Sequence, residues 1–324
     1  MNFIFKHIIT ALKGFGMGAA NIVPGVSGGT IALLTGIYTE LIEAINQFLV
    51  TANWKLFLQG NIKEFWKKIH GNFLAALAIG VGLSLISMAK VMEYAIIHHP
   101  VQTWAFFFGL IIASSIYMLS DIKSLKIKDL LFSFIGGALG VAISTLSPTN
   151  TPDGLWFVFI CGAISICTMI LPGISGSFIL VLLGKYEYII NALNTLNLPV
   201  LLVFALGCAI GILAFAKFLH WLLANYERQT MLILIGFVLG SLVKVWPWND
   251  MKAVAKAHFL SEPGIDSNAA EYAVEELISQ GVDLKSTVNM HTAEAIAWAI
   301  AGLALVWGLE ALSKKYKSSL QEKK

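Results

Sequence analysis

Charged residues are scarce in this sequence, and their scarcity excludes an ordinary soluble domain. Only 13% of the 324 residues are Asp, Glu, Lys or Arg, while 57% are hydrophobic. Soluble domains carry roughly 25% charged residues. Apolar runs of about 18 residues recur along the chain, whereas the ~10-residue alternating strands of a membrane barrel do not occur. We therefore predict an all-α polytopic membrane protein.

Residues that support enzymatic, metal or nucleic-acid chemistry are also few. The three cysteines, Cys161, Cys167 and Cys208, lie in apolar segments without metal-ligand spacing, so we interpret them as buried thiols and predict no metal and no cofactor. The sequence has no H-E-x-x-H motif, no P-loop and no serine with a matched histidine base, which argues against an enzyme. Arg228 is the one arginine and the lysines are dispersed over loops, so no nucleic-acid partner is predicted.

Two interruptions of the apolar sequence match each other. The stretch "NIVPGVSGGT" at 21–30 recurs 148 positions later as "MILPGISGSF" at 169–178. Between 24–46 and 172–194, 11 of 23 positions are identical. We therefore predict an internal duplication.

The duplication continues downstream at a smaller offset of 127, at which Gly80 and Lys90 match Gly207 and Lys217. The change from 148 to 127 means that the first copy holds about 21 extra residues. The simplest place for them is the lysine-rich loop 51–70.

Basic residues predict which loops face the cytoplasm, because lysine and arginine are enriched on that side of a membrane protein. Lysines fill the loops 51–70 and 120–129 and follow the last apolar run, whereas 98–100, 147–154 and 195–199 contain no lysine or arginine. Every basic loop falls inside if each interrupted element reverses at its break and leaves on the side it entered. We therefore predict two re-entrant hairpins of opposite orientation, which makes the repeats inverted, as in many transporters.

The predicted topology places both termini in the cytoplasm. The hairpins cover 10–48 and 155–195, and six full spans cover 72–97, 101–119, 130–147, 199–222, 230–247 and 294–312. The predicted organisation is repeat 1 (1–119, with the cytoplasmic loop 51–70), a connecting loop and linker span (120–154), repeat 2 (155–247), an extracytoplasmic loop (248–293, with a short amphipathic helix near 267–280), the last span (294–312) and a cytoplasmic tail (313–324).

The two breaks have the composition of an anion site. Proline removes a backbone donor and glycine permits a tight reversal, which is tolerated at membrane depth only against protein or a wet cavity. A new helix then begins, with Ser27 or Ser175 as its cap, and its first amides carry a partial positive charge. Two such helix starts would face one anion from opposite sides. Close helix contact through small residues is the alternative explanation, and we apply it to pairs such as Gly136 and Gly140.

Four basic side chains and one amide complete the set of candidate residues. Lys90 and Lys217 occupy matching positions and either contact the substrate or reach the membrane interface. Lys13 either approaches the bound anion or marks the membrane interface. Arg228 either takes part in a gate or has a structural capping role. The candidate substrate-binding residues are Pro24, Gly25, Ser27, Gly28, Gly29, Thr30, Pro172, Gly173, Ser175, Gly176, Ser177, Lys13, Asn21, Lys90, Lys217 and Arg228.

The two motifs also carry a family resemblance. "GMGAANIVPGVSGGTIALLTGIY" and "LPGISGSFILVLLGKYEYII" resemble the bacterial polyprenyl-phosphate transporters called PopT, over essentially the whole chain. The resemblance implies translocation of undecaprenyl phosphate across the bacterial cytoplasmic membrane, which returns the carrier lipid for envelope synthesis. It places Pro24, Gly25, Ser27, Gly28, Gly29, Pro172, Gly173, Ser175 and Gly176 in the family's central motif.

The expected partners are thus a polyprenyl phosphate and the phospholipid bilayer, and the sequence leaves the oligomeric state open, a homo-oligomer included. Two other functions fit the same residues. A carrier or channel for a small soluble anion would use the same helix starts, and a non-transporting scaffold would use the 248–293 segment to dock a partner.

Overall fold

The computed structural model describes residues 3–22, 27–48, 50–122, 124, 126–149 and 151–321. Within these ranges the regular structure is entirely helical, as the composition predicts. The first eight helices are α1 (Phe3–Ile22), α2 (Gly28–Leu34), α3 (Tyr38–Gln47), α4 (Thr51–Leu58), α5 (Ile62–Lys68), α6 (Gly71–His98), α7 (Pro100–Asp121) and α8 (Ile127–Ser144). The others are α9 (Leu155–Ile170), α10 (Gly176–Leu182), α11 (Tyr186–Asn194), α12 (Leu198–Ser241), α13 (Met251–Leu260), α14 (Ser267–Ser279), α15 (Leu284–Thr287) and α16 (Thr292–Gln321).

The chain divides into two compact units. Unit 1 consists of Met1–Ile86 and Ile122–Ser241, and unit 2 consists of Ser87–Asp121 and Leu242–Lys324. Both interrupted segments belong to unit 1, so the contacts between them lie within one compact body.

Four helices are long and apolar enough to cross a bilayer, and a bent pair adds a fifth candidate. The four are α6, α7, α8 and α12. The bent pair is α10 with α11, whose axes differ by 109° across a short break. These helices confirm a polytopic helical membrane protein, although the number of separate long helices is smaller than the six predicted spans.

Two helices account for the difference in number. Helix α12 joins the predicted spans 199–222 and 230–247 into 44 residues, with one non-helical residue, Tyr226 (φ −138°, ψ 42°), between them. At 1.5 Å per residue, such a length far exceeds the ~30 Å hydrocarbon core. The second part of α12 ends at Ser241, six residues earlier than predicted. Helix α16 supplies the last predicted span, but its apolar part, Thr292–Gly308, falls just short of the length of the others.

The first interrupted segment folds back on itself as a helical hairpin. The Gly28 amide at the start of α2 donates to Asn21 Oδ1 near the end of α1, at 2.7 Å. At the other end of α2, Lys13 Nζ donates to the Thr35 carbonyl oxygen, also at 2.7 Å. Helix α2 therefore runs antiparallel to α1, as the hairpin prediction requires.

The second segment reverses in the same way. Ser165 Oγ, within α9, donates to the Gly176 carbonyl oxygen at the start of α10, at 2.7 Å. Lys185, after the end of α10, pairs with Asp153, just before the start of α9, at 2.5 Å. The chain thus returns along α9 after its break.

The end of the short return helix is built identically in the two copies. Gly36 and Gly184, at the matching position after α2 and α10, are both left-handed (φ 70° and 60°), and their amides donate to the Leu33 and Val181 carbonyl oxygens. The next amide then reaches back five residues, from Ile37 to the Ala32 carbonyl and from Lys185 to the Leu180 carbonyl. This double pattern is the Schellman motif, which requires a residue such as glycine at positive φ. The recurrence supports the duplication read from the sequence.

Contacts between helices recur at the same offsets. A methyl group on Gly14 would lie 2.4 Å from the Leu77 carbonyl oxygen, and one on Gly162 would lie 2.4 Å from the Phe204 carbonyl oxygen. Glycine permits this close approach of two helix backbones in both copies. The glycine pairs that we assigned to helix contact behave in the same way, because Gly136 faces the Ile233 carbonyl oxygen.

The extra residues of the first copy form a structure of their own. Helices α4 and α5 lie between α3 and α6, whereas residues 195–197 alone connect α11 to α12 in the second copy. Helices α4 and α5 thus occupy the segment 51–70 to which we assigned the extra residues.

The segment predicted as the loop 248–293 is largely folded. Helices α13, α14 and α15 pack with α7 and the start of α16 around Val254, Ala255 and Val274. The predicted helix near 267–280 is present as α14, capped by Asp266, whose carboxylate accepts from the amides of Asn268 and Ala269.

Candidate functional site

The two breaks meet inside unit 1. The Ser27 hydroxyl lies 3.1 Å from the Met169 and the Leu171 carbonyl oxygens at the end of α9. A hydroxyl has one hydrogen, so Ser27 donates to these two acceptors in turn. Residues about 143 positions apart are therefore joined directly, and Ser27 is only 1% exposed.

A second hydrogen bond runs in the opposite direction. The Gly173 amide in the second break donates to Thr30 Oγ1 in the first turn of α2, at 2.7 Å, and Thr30 is 1% exposed. Together with the Ser27 contacts, this bond forms a reciprocal connection that we call the break joint, consisting of Ser27, Thr30, the carbonyl oxygens of Met169 and Leu171, and the Gly173 amide. Because an unpaired buried amide or hydroxyl costs about 1–3 kcal/mol, the joint is strongly favoured once the breaks are buried.

Glycines allow the joint to close. A methyl group on Gly29 would lie 2.3 Å from the Ile170 carbonyl oxygen, closer than any real carbon atom approaches. Gly173 has φ +96°, and a side chain there would also crowd Ser241 and Val238 on α12. The "GG" of the first motif and the "PG" of the second thus have a steric explanation at these positions.

The start of α2 is fully engaged by its own hairpin. The Gly28 amide donates to Asn21 Oδ1 at 2.7 Å, and the Gly29 amide donates to Ser27 Oγ at 3.1 Å. The Thr30 amide donates to the Ser27 carbonyl oxygen at 2.9 Å. Ser27 therefore caps α2 as predicted, and its helix start is not open to a ligand in this conformation.

The start of α10 differs. Ser175 occupies the cap position, but its side chain makes no capping hydrogen bond and instead lies 2.6 Å from Ser177 Oγ. Ser175 is buried, whereas Ser177 is exposed. The predicted side-chain cap at Ser175 is therefore wrong, and the second hairpin presents a pair of hydroxyl groups, one buried and one exposed.

Of the three remaining motif candidates, one lies in the described part of the chain and two do not. Pro172 is buried next to Gly173. Pro24 and Gly25 lie outside the described residues.

Two of the basic candidates are engaged by other groups, and the other two are exposed. Lys13 bonds the Thr35 carbonyl at the C-terminal end of α2, the opposite end from Ser27, where a cation is favoured by the helix dipole. Lys217 is exposed on α12, with no hydrogen-bond or ion-pair partner in the part of the chain that the structure describes. Lys90 is likewise exposed on α6, in unit 2.

Arg228, which is partly exposed, forms an ion pair with the buried Asp129. Its guanidinium contacts Asp129 at 2.5 and 3.2 Å and donates to the Ser124 carbonyl oxygen at 2.8 Å. The Asp129 carboxylate also accepts from the Lys126 amide at 2.7 Å, at the start of α8. This bidentate geometry is the strong form of an arginine–carboxylate pair, and it matches the capping alternative.

Lys185 is a residue that sequence reasoning missed. It is 3% exposed, and its ammonium group donates to Asp153 and to the Thr151 carbonyl oxygen at 2.5 and 2.9 Å. A signal was present in the sequence, because the duplication aligns Lys185 with Ile37, an apolar residue. A lysine at a position that is apolar in the other copy predicts a buried, paired charge. The described residues contain no cluster of three or more His, Cys, Asp or Glu side chains suited to a metal ion.

Comparison with known proteins identifies a family and two named relatives. Residues 17–261 match a protein family described as undecaprenyl phosphate translocase-like. The chain is 38% identical over 311 residues to a Vibrio cholerae protein named polyprenyl-phosphate transporter, covering 96% of this chain and 98% of the relative. It is 34% identical over 257 residues to a Staphylococcus aureus protein of the same name, covering 74% and 86% of the two chains. No solved structure gives a significant match.

Proposed function

The chain belongs to the undecaprenyl phosphate translocase-like family, and from this membership we propose that it transports polyprenyl phosphate, in particular undecaprenyl phosphate, across the bacterial cytoplasmic membrane. Both relatives described above are named polyprenyl-phosphate transporters, and each is matched over most of its length. The protein is a transporter and not an enzyme. Its transport returns the carrier lipid to the side where envelope synthesis uses it.

The break joint is the observation that carries the proposed mechanism. It connects the two family motifs through single hydrogen bonds between segments that belong to different repeats. A joint of this kind can open with a small change in free energy when a ligand supplies new partners for its polar groups, since each exchanged bond changes the free energy by about 0.5–1.5 kcal/mol net. We place the phosphate headgroup at this joint, where its oxygens replace the acceptors that Ser27 and the Gly173 amide use in the closed conformation.

The access route runs past the second hairpin. Ser177 is exposed and Ser175, two residues from Gly173 in the chain, is buried, so we infer that the headgroup passes this hydroxyl pair on its way to the joint. The headgroup carries one to two negative charges and accepts hydrogen bonds from hydroxyl groups and amides. The polyprenyl tail stays in the bilayer throughout, so the route must open sideways to lipid.

The proposed topology supplies the alternating access. Two re-entrant hairpins of opposite orientation and six crossings, with α12 bent into two and α16 as the last, give inverted repeats with both termini in the cytoplasm. Rocking of the repeats about the breaks exposes the joint to each side in turn. A cytoplasmic reporter fused to the C-terminus should be active, and a periplasmic reporter at the same place should be inactive.

Transport is tested in proteoliposomes. The measured quantity is the rate at which a short-chain polyprenyl phosphate becomes accessible on the opposite leaflet, with and without the protein. We expect acceleration that excess undecaprenyl phosphate suppresses and small anions do not. Passage of a small anion without lipid movement would favour the soluble-anion carrier, and neither activity would favour the scaffold.

The site is tested separately by Ser177→Ala. Because Ser177 is exposed, the variant should fold normally and raise the lipid concentration needed for half-maximal rate by roughly tenfold or more, which corresponds to the loss of one hydrogen bond to a charged group. Ser279→Ala, which removes an exposed hydroxyl from α14, is the matched control. Equal kinetics for the two variants would remove Ser177 from the route.

A further inference from the structure

Helices α4 and α5 form a hairpin that is present in the first copy alone. The α4–α5 hairpin is not part of the break joint, and the proposed transport mechanism does not use it. It is well anchored at both ends: Asn53 Nδ2 donates to the Gln47 carbonyl oxygen on α3 at 2.9 Å, and Trp66 Nε1 donates to Asn72 Oδ1 on α6 at 2.8 Å. The hairpin is therefore a fixed element of unit 1 that needs its own explanation.

The α4–α5 hairpin leaves several apolar side chains exposed next to its buried ones. Inward-facing side chains such as Phe65 and Ile69 are buried. The exposed apolar side chains are Trp54 (42% exposed), Phe57 (44%), Leu58 (81%), Ile62 (59%) and Trp66 (43%). The rings of Trp54 and Phe57 lie 6.1 Å apart, and both contact Phe65, so the aromatic side chains of the two helices form one cluster. Exposed apolar side chains that cluster in this way mark a site that contacts a membrane or another protein.

The same hairpin carries a concentration of positive charge. It contains four lysines, Lys55, Lys63, Lys67 and Lys68, against one carboxylate, Glu64. All four lysines are exposed, and none of them has an ion-pair partner within the described residues. Exposed aromatic and aliphatic side chains bordered by unpaired lysines are the composition of helices that lie in the surface of an anionic bilayer.

The position of the hairpin along the chain favours a bilayer over a protein partner. Helix α5 ends at Lys68, and the span candidate of α6 begins at Gly71. His70, in the left-handed conformation at φ 54°, forms the corner between them. Since α5 meets α6 at the point where α6 begins its apolar run, the hairpin must emerge at the level of the membrane surface.

We propose that the α4–α5 hairpin is a membrane-surface anchor, with its exposed apolar side chains inserted at the headgroup boundary and its four lysines bound to anionic phospholipid headgroups. The anchor holds the α3 end of the first hairpin at a fixed depth in the bilayer. The second copy, which lacks it, has no equivalent attachment.

Spin labels at two positions of α5 test this anchor in the full-length protein. Ile62→Cys places a nitroxide on the apolar side and Glu64→Cys places one about 200° further round the same helix. Both positions are exposed, so neither substitution disturbs buried contacts. The wild-type chain, labelled in the same way, provides the signal of the native cysteines. Nanodiscs contain either phosphatidylcholine alone or phosphatidylcholine with phosphatidylglycerol.

We expect the Ile62 label to collide more with oxygen than with a water-soluble nickel chelate in the anionic nanodiscs, and the Glu64 label to show the reverse. Changing all four lysines to glutamine should reduce the ratio of inserted to detached hairpin, by roughly fivefold per lysine. High salt should have the same effect, because it screens the headgroups.

Two results would overturn the proposal. Equal exposure of both labels to the nickel chelate in both lipids would show that the hairpin does not lie on the bilayer, and that its apolar side serves a protein partner or a second copy. An insertion depth that is unchanged by anionic lipid and by the four glutamine substitutions would remove the role of the lysines.

Discussion

Thr30→Val isolates the hydrogen bond that connects the two family motifs. Valine has nearly the shape of threonine but cannot accept a hydrogen bond. The Thr30 hydroxyl accepts one from the Gly173 amide at 2.7 Å. Thr30 is 1% exposed, so water does not replace the lost acceptor. A buried unsatisfied amide costs about 1–3 kcal/mol, and we expect the free energy of unfolding to fall by that amount.

The control for this prediction lies on the same helix. Thr35 Oγ1 donates to the Ile31 carbonyl oxygen within its own turn, at 2.7 Å, and does not cross to the other hairpin. Thr35→Val should therefore cost less than about 1 kcal/mol. Thermal unfolding in detergent should show a lower midpoint for Thr30→Val by a few degrees, and Thr30→Ser, which keeps the acceptor, should restore it.

Transport adds a second readout to the same pair of variants. If the break joint closes one of two conformations, weakening it by 1–3 kcal/mol shifts their ratio by about 5–150-fold. The transport rate should then change for Thr30→Val and remain unchanged for Thr35→Val. Identical unfolding midpoints and identical rates for the two valine variants would refute the reasoning, because the joint would then contribute nothing to either state.

Two other predictions concern close contact and charge in unit 1. Gly29→Ala should destabilise the protein by several kcal/mol, since its methyl group would lie 2.3 Å from the Ile170 carbonyl oxygen, whereas Gly82→Ala, with open space around it, should be neutral in the same unfolding assay. Arg228→Gln and Asp129→Asn should each lower the unfolding midpoint, and the double variant should lower it less than their sum, because the two side chains form one pair. Additive effects would mean that the two side chains do not stabilise each other.

Much of the fold follows from local sequence patterns. The long apolar runs predict the membrane helices because a helix satisfies every backbone group without water. The change of offset between the copies locates the α4–α5 hairpin, since an insertion shifts every later match by its own length. The bounds of α12 were harder to predict, because Tyr226 bends the helix without a proline or glycine to signal the change.

The contacts of the candidate site were less accessible to sequence reasoning. Proline, glycine and serine in both motifs predict two breaks, but no periodicity relates Thr30 to Gly173 across 143 residues. Their pairing depends on how the two hairpins are placed in three dimensions. Lys185 was missed for a related reason: a lysine next to a glycine after a short helix is typical of a solvated turn, and its burial depends on the distant Asp153.

The two motifs share the pattern P-G-x-S-G yet are unequal in the structure, and this inequality bears on how a carrier with inverted repeats would work. Ser27 caps its helix and also donates across the joint, so the first hairpin is closed by its own polar groups. Ser175 does neither and instead extends toward exposed Ser177. In the proposed cycle, the opposite conformation would exchange these roles, with Ser175 capping α10 and the start of α2 open. Two copies of one motif can then serve opposite sides of the membrane in turn, because a single sequence supports both an engaged and an open helix start.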